Sequence, residues 1–346
     1  MRKKSKPRLI GENHLRRKQA VGCELLCFFM VVRCVIGEKE DKLVLLEEEM
    51  KNEERLNTQM AMAKRLESSD YLKSCAAFEE ALGLAIQLKN QLKEAQCHEG
   101  MARMLWKLSD NSKAHKRYRV ALGIYIQLGD QYGMATSYSG LGIISSLSED
   151  YSTSLDFFEQ ALSASRKAEH HSFTAVLIAN IGNVYFLLGR YEGAMECYKR
   201  ALKYHEEHDN FVEIAIMLIG MASVHIFTRE YNEGLKLLHR ALVIDRKAGR
   251  TQGVLMCVYN IGETYRKQGK TTESLKKLLE ALKFAEKMNA RATIYKIHEQ
   301  LSGLYTELDE SEKSAHHLQL FMEAEEEQHK WVVKKENEKL QKFGGS

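Results

Sequence analysis

The sequence predicts an all-α protein, a right-handed α-solenoid of about seven antiparallel helix pairs. Three observations carry this. Proline occurs once in 346 residues, at Pro7. The pair Ala-Leu recurs every 40 residues, six times without an insertion. Two further registers in the same phase hold only small residues. Sandwiches and barrels recruit Pro and Gly at many turns, so a chain with one Pro and 22 Gly is poorly suited to them. The net charge of +4 gives no reason to expect a nucleic-acid partner.

The first segment differs from the rest. Residues 1–20 carry Arg2, Lys3, Lys4, Lys6, Arg8, Arg16, Arg17 and Lys18 against Glu12 alone, so the positive balance belongs here. LLCFFMVV follows at 25–32 and Arg33 interrupts it. That run falls far short of the roughly 20 residues a bilayer span needs. A signal peptide requires a small-residue cleavage site, and Arg33 followed by the acidic GEKED supplies none. A membrane-surface anchor with Cys23, Cys27 and Cys34 as acylation sites is one alternative for residues 1–35. The reading adopted for 1–37 is a poorly ordered extension. Residues 38–69 read as a charged helix over 38–58 and a capping helix over 54–68 that lacks the small slot.

From residue 70 to 325 the repeat dictates the elements. The alanine register is Ala81, Ala121, Ala161, Ala201, Ala241 and Ala281. Nineteen residues earlier, from the second repeat on, stand Ala102, Gly142, Gly182, Ala222, Gly262 and Ser302. Seven residues before each alanine stand Ser74, Ala114, Ser154, Ala194, Gly234 and Ser274, then Ser314. Antiparallel helices approach closely only where small side chains admit the partner's ridge. The large residues are in phase too, with Met101, Leu141, Ile181, Met221, Ile261 and Leu301 on first helices. Phe78, Tyr118, Phe158, Tyr198, Leu238 and Leu278 hold the matching slot on second helices. First helices are predicted over 93–107, 133–147, 173–188, 213–227, 253–267 and 291–307. Second helices follow over 70–87, 110–127, 150–167, 190–207, 230–247, 270–287 and 310–340. Gly189 and Gly269 suit left-handed C-terminal caps, and Ser109, Asp110, Asp150 and Ser311 suit helix starts. The tail over 326–346 extends the last helix, with Trp331, Val332 and Val333 placed to cover the end of the array.

The three small registers, separated by 12 and then 7 residues, resemble the tetratricopeptide repeat. NIGNVYFLLGRYEGAMECYKRAL at 180–202 is a near-ideal unit. The departure is length: these units have 40 residues and no Pro, against about 34 with a closing Pro in the usual form. The long form resembles the arrays of Pins/LGN spindle-orientation adaptors, rapsyn-type synaptic scaffolds and bacterial peptide-sensing regulators. The resemblance implies that first helices line a concave groove and that partners are peptides or helices lying in it.

On that implied groove, one slot reads Gly100, Gly140, Asn180, Gly220, Asn260 and Gln300. Three residues on it reads Arg103, Ile143, Asn183, Ser223, Glu263 and Gly303, and a turn later Lys107, Leu147, Leu187, Phe227, Lys267 and Glu307. Asn180, Asn183 and Asn260 are candidate contacts to a ligand backbone. Arg103, Lys107, Arg266 and Lys267 are candidates for acidic partner side chains. Ile143, Leu147, Leu187 and Phe227 form an apolar strip that either meets a partner or packs on the next helix. The arrangement that binds acidic chaperone tails needs a Lys where this chain has Glu99, Ser139, Ala179, Ile219, Tyr259 and Glu299, so that role is not expected.

Catalytic signatures are missing: there is no GxxxxGK[ST], HExxH or GxSxG. No cofactor or metal site is expected. His205 and His208 have helical spacing but read as solvated surface, as do His170 and His171. Cys75, Cys97, Cys197 and Cys257 fall in helical patterns and read as buried free thiols. The function expected is a non-catalytic adaptor that binds other proteins, in the cytoplasm, at the cytoskeleton or a cilium. The alternative is a regulatory module that senses a groove ligand and controls a signalling enzyme. Partner identity and oligomeric state are not written in the sequence.

Overall fold

A computed structural model describes residues 40–323 together with 325 and 326. The basic leader, Cys23, Cys27, Cys34 and the Trp331 tail lie outside the described residues. The chain divides into two compact units, Met1–Leu128 and Gly129–Ser346. In the first lie α1 (Glu40–Leu66), α2 (Tyr71–Gln87), α3 (Gln91–Lys107) and α4 (Asn111–Leu128). In the second lie α5 (Gln131–Leu147), α6 (Tyr151–Lys167), α7 (His171–Leu187), α8 (Tyr191–Glu207) and α9 (Phe211–Phe227). They are followed by α10 (Tyr231–Lys247), α11 (Thr251–Lys267), α12 (Thr271–Lys287), α13 (Arg291–Glu307) and α14 over 311–323. Within each unit every helix packs antiparallel on its neighbours in the chain, as a solenoid requires.

The two-helix period is finer than the repeat. A residue with positive φ occurs every 20 positions from Lys89 to Asp309, and only Gly129, Gly189, Gly249 and Gly269 among these are glycine. The others, such as Ser109 (61°) and Arg229 (65°), carry side chains in a conformation that costs them about 1 kcal/mol. Hydrogen bonding holds them there. Lys89 N–H donates to the Ile86 carbonyl at 3.0 Å and Asn90 N–H to that of Ala85 at 2.8 Å, which closes the helix in a Schellman motif. The same pair recurs after α7, from Gly189 to Phe186 and from Arg190 to Tyr185.

The residue that ends this motif also begins the next helix. Asp70, Asn90, Asp110, Asp130, Asp150 and His170 each accept a backbone N–H three residues on with the side chain. From Arg190 to Ala290 this capping bond is missing. Three of those side chains reach back five residues instead. Asn210 meets the His205 ring, Glu230 meets His225 at 2.5 Å, and Arg250 meets Asp245 at 3.0 Å.

The small registers lie in the helix contacts. Ala81, Ala121, Ala161, Ala201, Ala241 and Ala281 are all fully buried. A β-carbon on Gly142 would stand 3.1 Å from the Phe158 ring, on Gly182 3.0 Å from Cys197, and on Gly262 3.0 Å from Leu278. Those distances leave no slack in a close-packed interior. The serines of the third register also supply a bond. Ser74, Ser154 and Ser274 each donate at 2.8 Å to a buried first-helix carbonyl, of Ala63, Gly142 and Gly262.

Three expectations are corrected. Residues 38–58 and 54–68 are not separate helices, because α1 runs unbroken from Glu40 to Leu66. Nor does it lack a small slot. The slot is held by Ala63, one residue later than the phase places it, which is buried with Leu56 and Met60 and whose carbonyl accepts from Ser74. His205 is not solvated surface but fully buried, since it holds the same inward position of a second helix as Ala85, Tyr125 and Asp245. His208 is exposed and stacks on Tyr204 at 4.2 Å. His170 and His171 are exposed as read, and His170 also caps α7 and stacks on Tyr132 at 4.5 Å. Cys97, Cys197 and Cys257 are buried free thiols and Cys75 is half-buried.

Candidate functional site

In the unit from Gly129 on, successive first helices touch each other directly. Phe186 of α7 meets Phe227 of α9 edge to face at 4.9 Å, and Lys267 of α11 places Nζ 4.6 Å over the Phe227 ring. Arg266 of α11 crosses to α13, where it donates to Gln300 and pairs with Glu307 at 3.4 Å. The guanidinium passes close over Gly303, where a β-carbon would stand 2.8 Å from it. First helices so joined form one face, and what they leave uncovered on it is the candidate site.

That face has two apolar rows. Leu147 (57% exposed), Leu187 (51%) and Phe227 (54%) form one at the C-terminal ends of α5, α7 and α9. Ile216 (40%) and Met256 (42%) form the other nearer the N-terminal ends of α9 and α11. Ile216 and Phe227 are eleven residues apart, about three turns and roughly 16 Å, and so share one side of α9. Isolated exposed apolar side chains are ordinary, but in-phase rows on adjacent helices form a patch. The sequence reading found the first row and missed Ile216 and Met256, although both lie in the 40-residue phase.

Polar side chains lie between the rows. Asn183 is exposed and accepts from the Tyr198 hydroxyl at 2.7 Å. Ser223 donates to its own helix, to the Ile219 carbonyl at 3.0 Å. Glu263 is half-buried, and its Oε1 is shut off from solvent without a hydrogen-bond partner. Burial pushes the Glu263 carboxyl above the usual range, against the pull of Arg266 and Lys267. Tyr259 is pushed up to about 12 by burial and by the carboxylates of Glu263 and Glu299.

Several candidates are less free than the sequence implied. The slot of Asn180, Asn260 and Gln300 is not open groove. Gly220 in that slot lies under the Tyr198 ring, where a β-carbon would stand at 3.0 Å, and Asn180, Asn260 and Gln300 are half-buried. In the first unit Gly100 is packed under Phe78 in the same way. Arg103 there is bound by Glu67 at 2.7 Å and Glu99 at 2.5 Å, and Lys107 donates to the Glu67 carbonyl and lies over Tyr71. Arg266 and Lys267 thus brace neighbouring first helices, and Arg103 and Lys107 tie α3 to the turn after α1 and the start of α2, with their charge already engaged. Among the described residues no three His, Cys, Asp or Glu side chains are grouped to hold a metal.

Helix pairs stacked in a 40-residue phase, with an uncovered first-helix face, define a helical-repeat array of the kind that presents a surface. A sequence model of the tetratricopeptide repeat matches residues 133–207 and 213–287. Over those residues the helix pairs are tetratricopeptide repeats. No curated protein matches the chain significantly by sequence. Among solved structures, aspartyl phosphate phosphatase F from Bacillus subtilis aligns with a TM-score of 0.66 at 13% identity, over 92% of this chain and 85% of that one. A Rap protein complexed with competence and sporulation factor aligns at 0.64 and 15%, over 79% and 75%. NprR in complex with its cognate peptide NprX aligns at 0.58 and 18%, over 84% and 79%. At these identities the likeness is one of fold. No described helix is long and apolar enough to cross a membrane.

Proposed function

We propose that the unit from Gly129 on is a non-catalytic protein-interaction module that holds a partner segment on the face of α5, α7, α9 and α11. The observation that carries the reading is the pair of apolar rows, Leu147–Leu187–Phe227 and Ile216–Met256, left exposed in phase on adjacent first helices. A peptide's own backbone would find the exposed Asn183 between those rows. The test is a pull-down from cells followed by mass spectrometry, with Leu187→Asp/Phe227→Asp against a control on second helices, Arg200→Ala/Arg240→Ala. Partners lost by the first pair and kept by the second support the reading. Partners kept by both overturn it.

A second reading, a sensor whose array responds to a bound peptide, is favoured by the fold likeness to NprR in complex with its cognate peptide NprX. It predicts a ligand-dependent change in scattering radius, and an unchanged radius with ligand bound counts against it. For location the reading is a cytoplasmic adaptor, associated with the cytoskeleton or a cilium. Imaging of the tagged full chain tests that placement.

A further inference from the structure

Glu263 stands in the middle of the candidate face with a buried carboxylate oxygen that nothing satisfies. Two cations follow it on the same helix and both act on its charge, but neither bonds the buried oxygen. Arg266 is held across Gly303 by Gln300 and Glu307, and Lys267 is held over the Phe227 ring. The next first helix adds Glu299, an exposed carboxylate that deepens the negative charge. An unpaired buried carboxylate costs free energy that an arriving cation recovers.

We propose that the segment held on this face carries a lysine or arginine that pairs with Glu263, between apolar side chains resting on Leu187–Phe227 at one end and Ile216–Met256 at the other. This rests on the groove reading above. The two rows lie roughly 16 Å apart along α9, and an extended chain covers about 3.3 Å per residue, so the apolar anchors are about five residues apart with the cation between them. The raised position of the Glu263 carboxyl fits a site completed by its ligand. The cation identifies the occupant by chemistry: a basic, apolar-flanked peptide, not an acidic one.

The experiment is selection from a random dodecapeptide phage library against the full chain, as wild type and as Glu263→Lys, with circular dichroism to confirm folding. The wild type selects peptides with Lys or Arg between apolar residues, and Glu263→Lys exchanges that preference for Asp or Glu. In titrations of the selected peptides, Glu263→Gln weakens binding about tenfold or more, the range of a charge-assisted bond. If Glu263→Lys leaves the motif unchanged, or no basic residue is enriched, the pairing is overturned. If Leu187→Asp/Phe227→Asp abolishes binding while Glu263 variants do not, only the pairing fails. If neither alters binding, or no peptide is selected, the groove reading fails with it.

Discussion

Ser274 donates its hydroxyl to the carbonyl of Gly262 at 2.8 Å, inside the contact between α12 and α11. Both residues belong to small registers, and smallness is only half of what each supplies. Gly262 makes room for Leu278, and its carbonyl gains a second donor from the neighbouring helix. Ser154 with Gly142 and Ser74 with Ala63 repeat the arrangement.

Replacing Ser274 by Ala keeps the volume and removes this bond. The expected cost is about 1 kcal/mol, and Ser274→Val, which also adds bulk to a closed contact, costs more. Urea denaturation of the two variants checks the order. Equal and negligible losses would show that only the size of the side chain matters.

Glycine substitutions divide by environment. Gly123 lies on the exposed side of α4 with open space around it, so Gly123→Ala stabilises by about 0.5–1 kcal/mol through helix propensity. Gly253 faces the buried Asp245 carboxylate, and a β-carbon there would fall on it. Gly253→Ala therefore destabilises by about 1–3 kcal/mol, with Asp245 forced to move from its contact with Arg250. Thermal melts of the two variants should shift in opposite directions.

Acid lowers stability through His98. Its Nδ1 lies 3.1 Å from the Arg117 guanidinium, which can only donate, so the ring is neutral in the folded state. Burial, and then Arg117, depress it to about 4 from 6.5. Between those values the unfolded chain binds a proton that the folded chain does not. The stabilising contribution is whole above pH 6.5 and is lost as pH falls toward 4. Denaturation midpoints across pH 4–7.5 should slope less in His98→Gln than in the wild type.

Much of this fold is legible in the sequence because a solenoid repeats one contact, and one contact leaves one spacing. The 40-residue phase of Ala81 to Ala281 gave the helix ends to within a few residues. The turns were less legible. Gly189 and Gly269 marked two left-handed caps, but Arg229 and Asp309 adopt the same conformation under hydrogen-bond control, without a residue type that announces it. His205 was misread because a polar residue at a buried position gives no signal of burial unless its phase is compared with Ala85 and Asp245. The site was legible only in part. The phase finds the face, but it does not show that Arg103 and Arg266 are spent on neighbouring helices or that Glu263 is left unpaired, since both depend on where long side chains turn.

The central claim is that a partner segment lies on the first-helix face of α7, α9 and α11. Photo-crosslinking tests it most directly, using a library-selected peptide that carries a benzophenone and mapping the adducts on the full chain by mass spectrometry. Adducts at Leu187, Ile216, Phe227 and Met256 are the predicted result. Adducts confined to the second helices α8, α10 and α12 would contradict it.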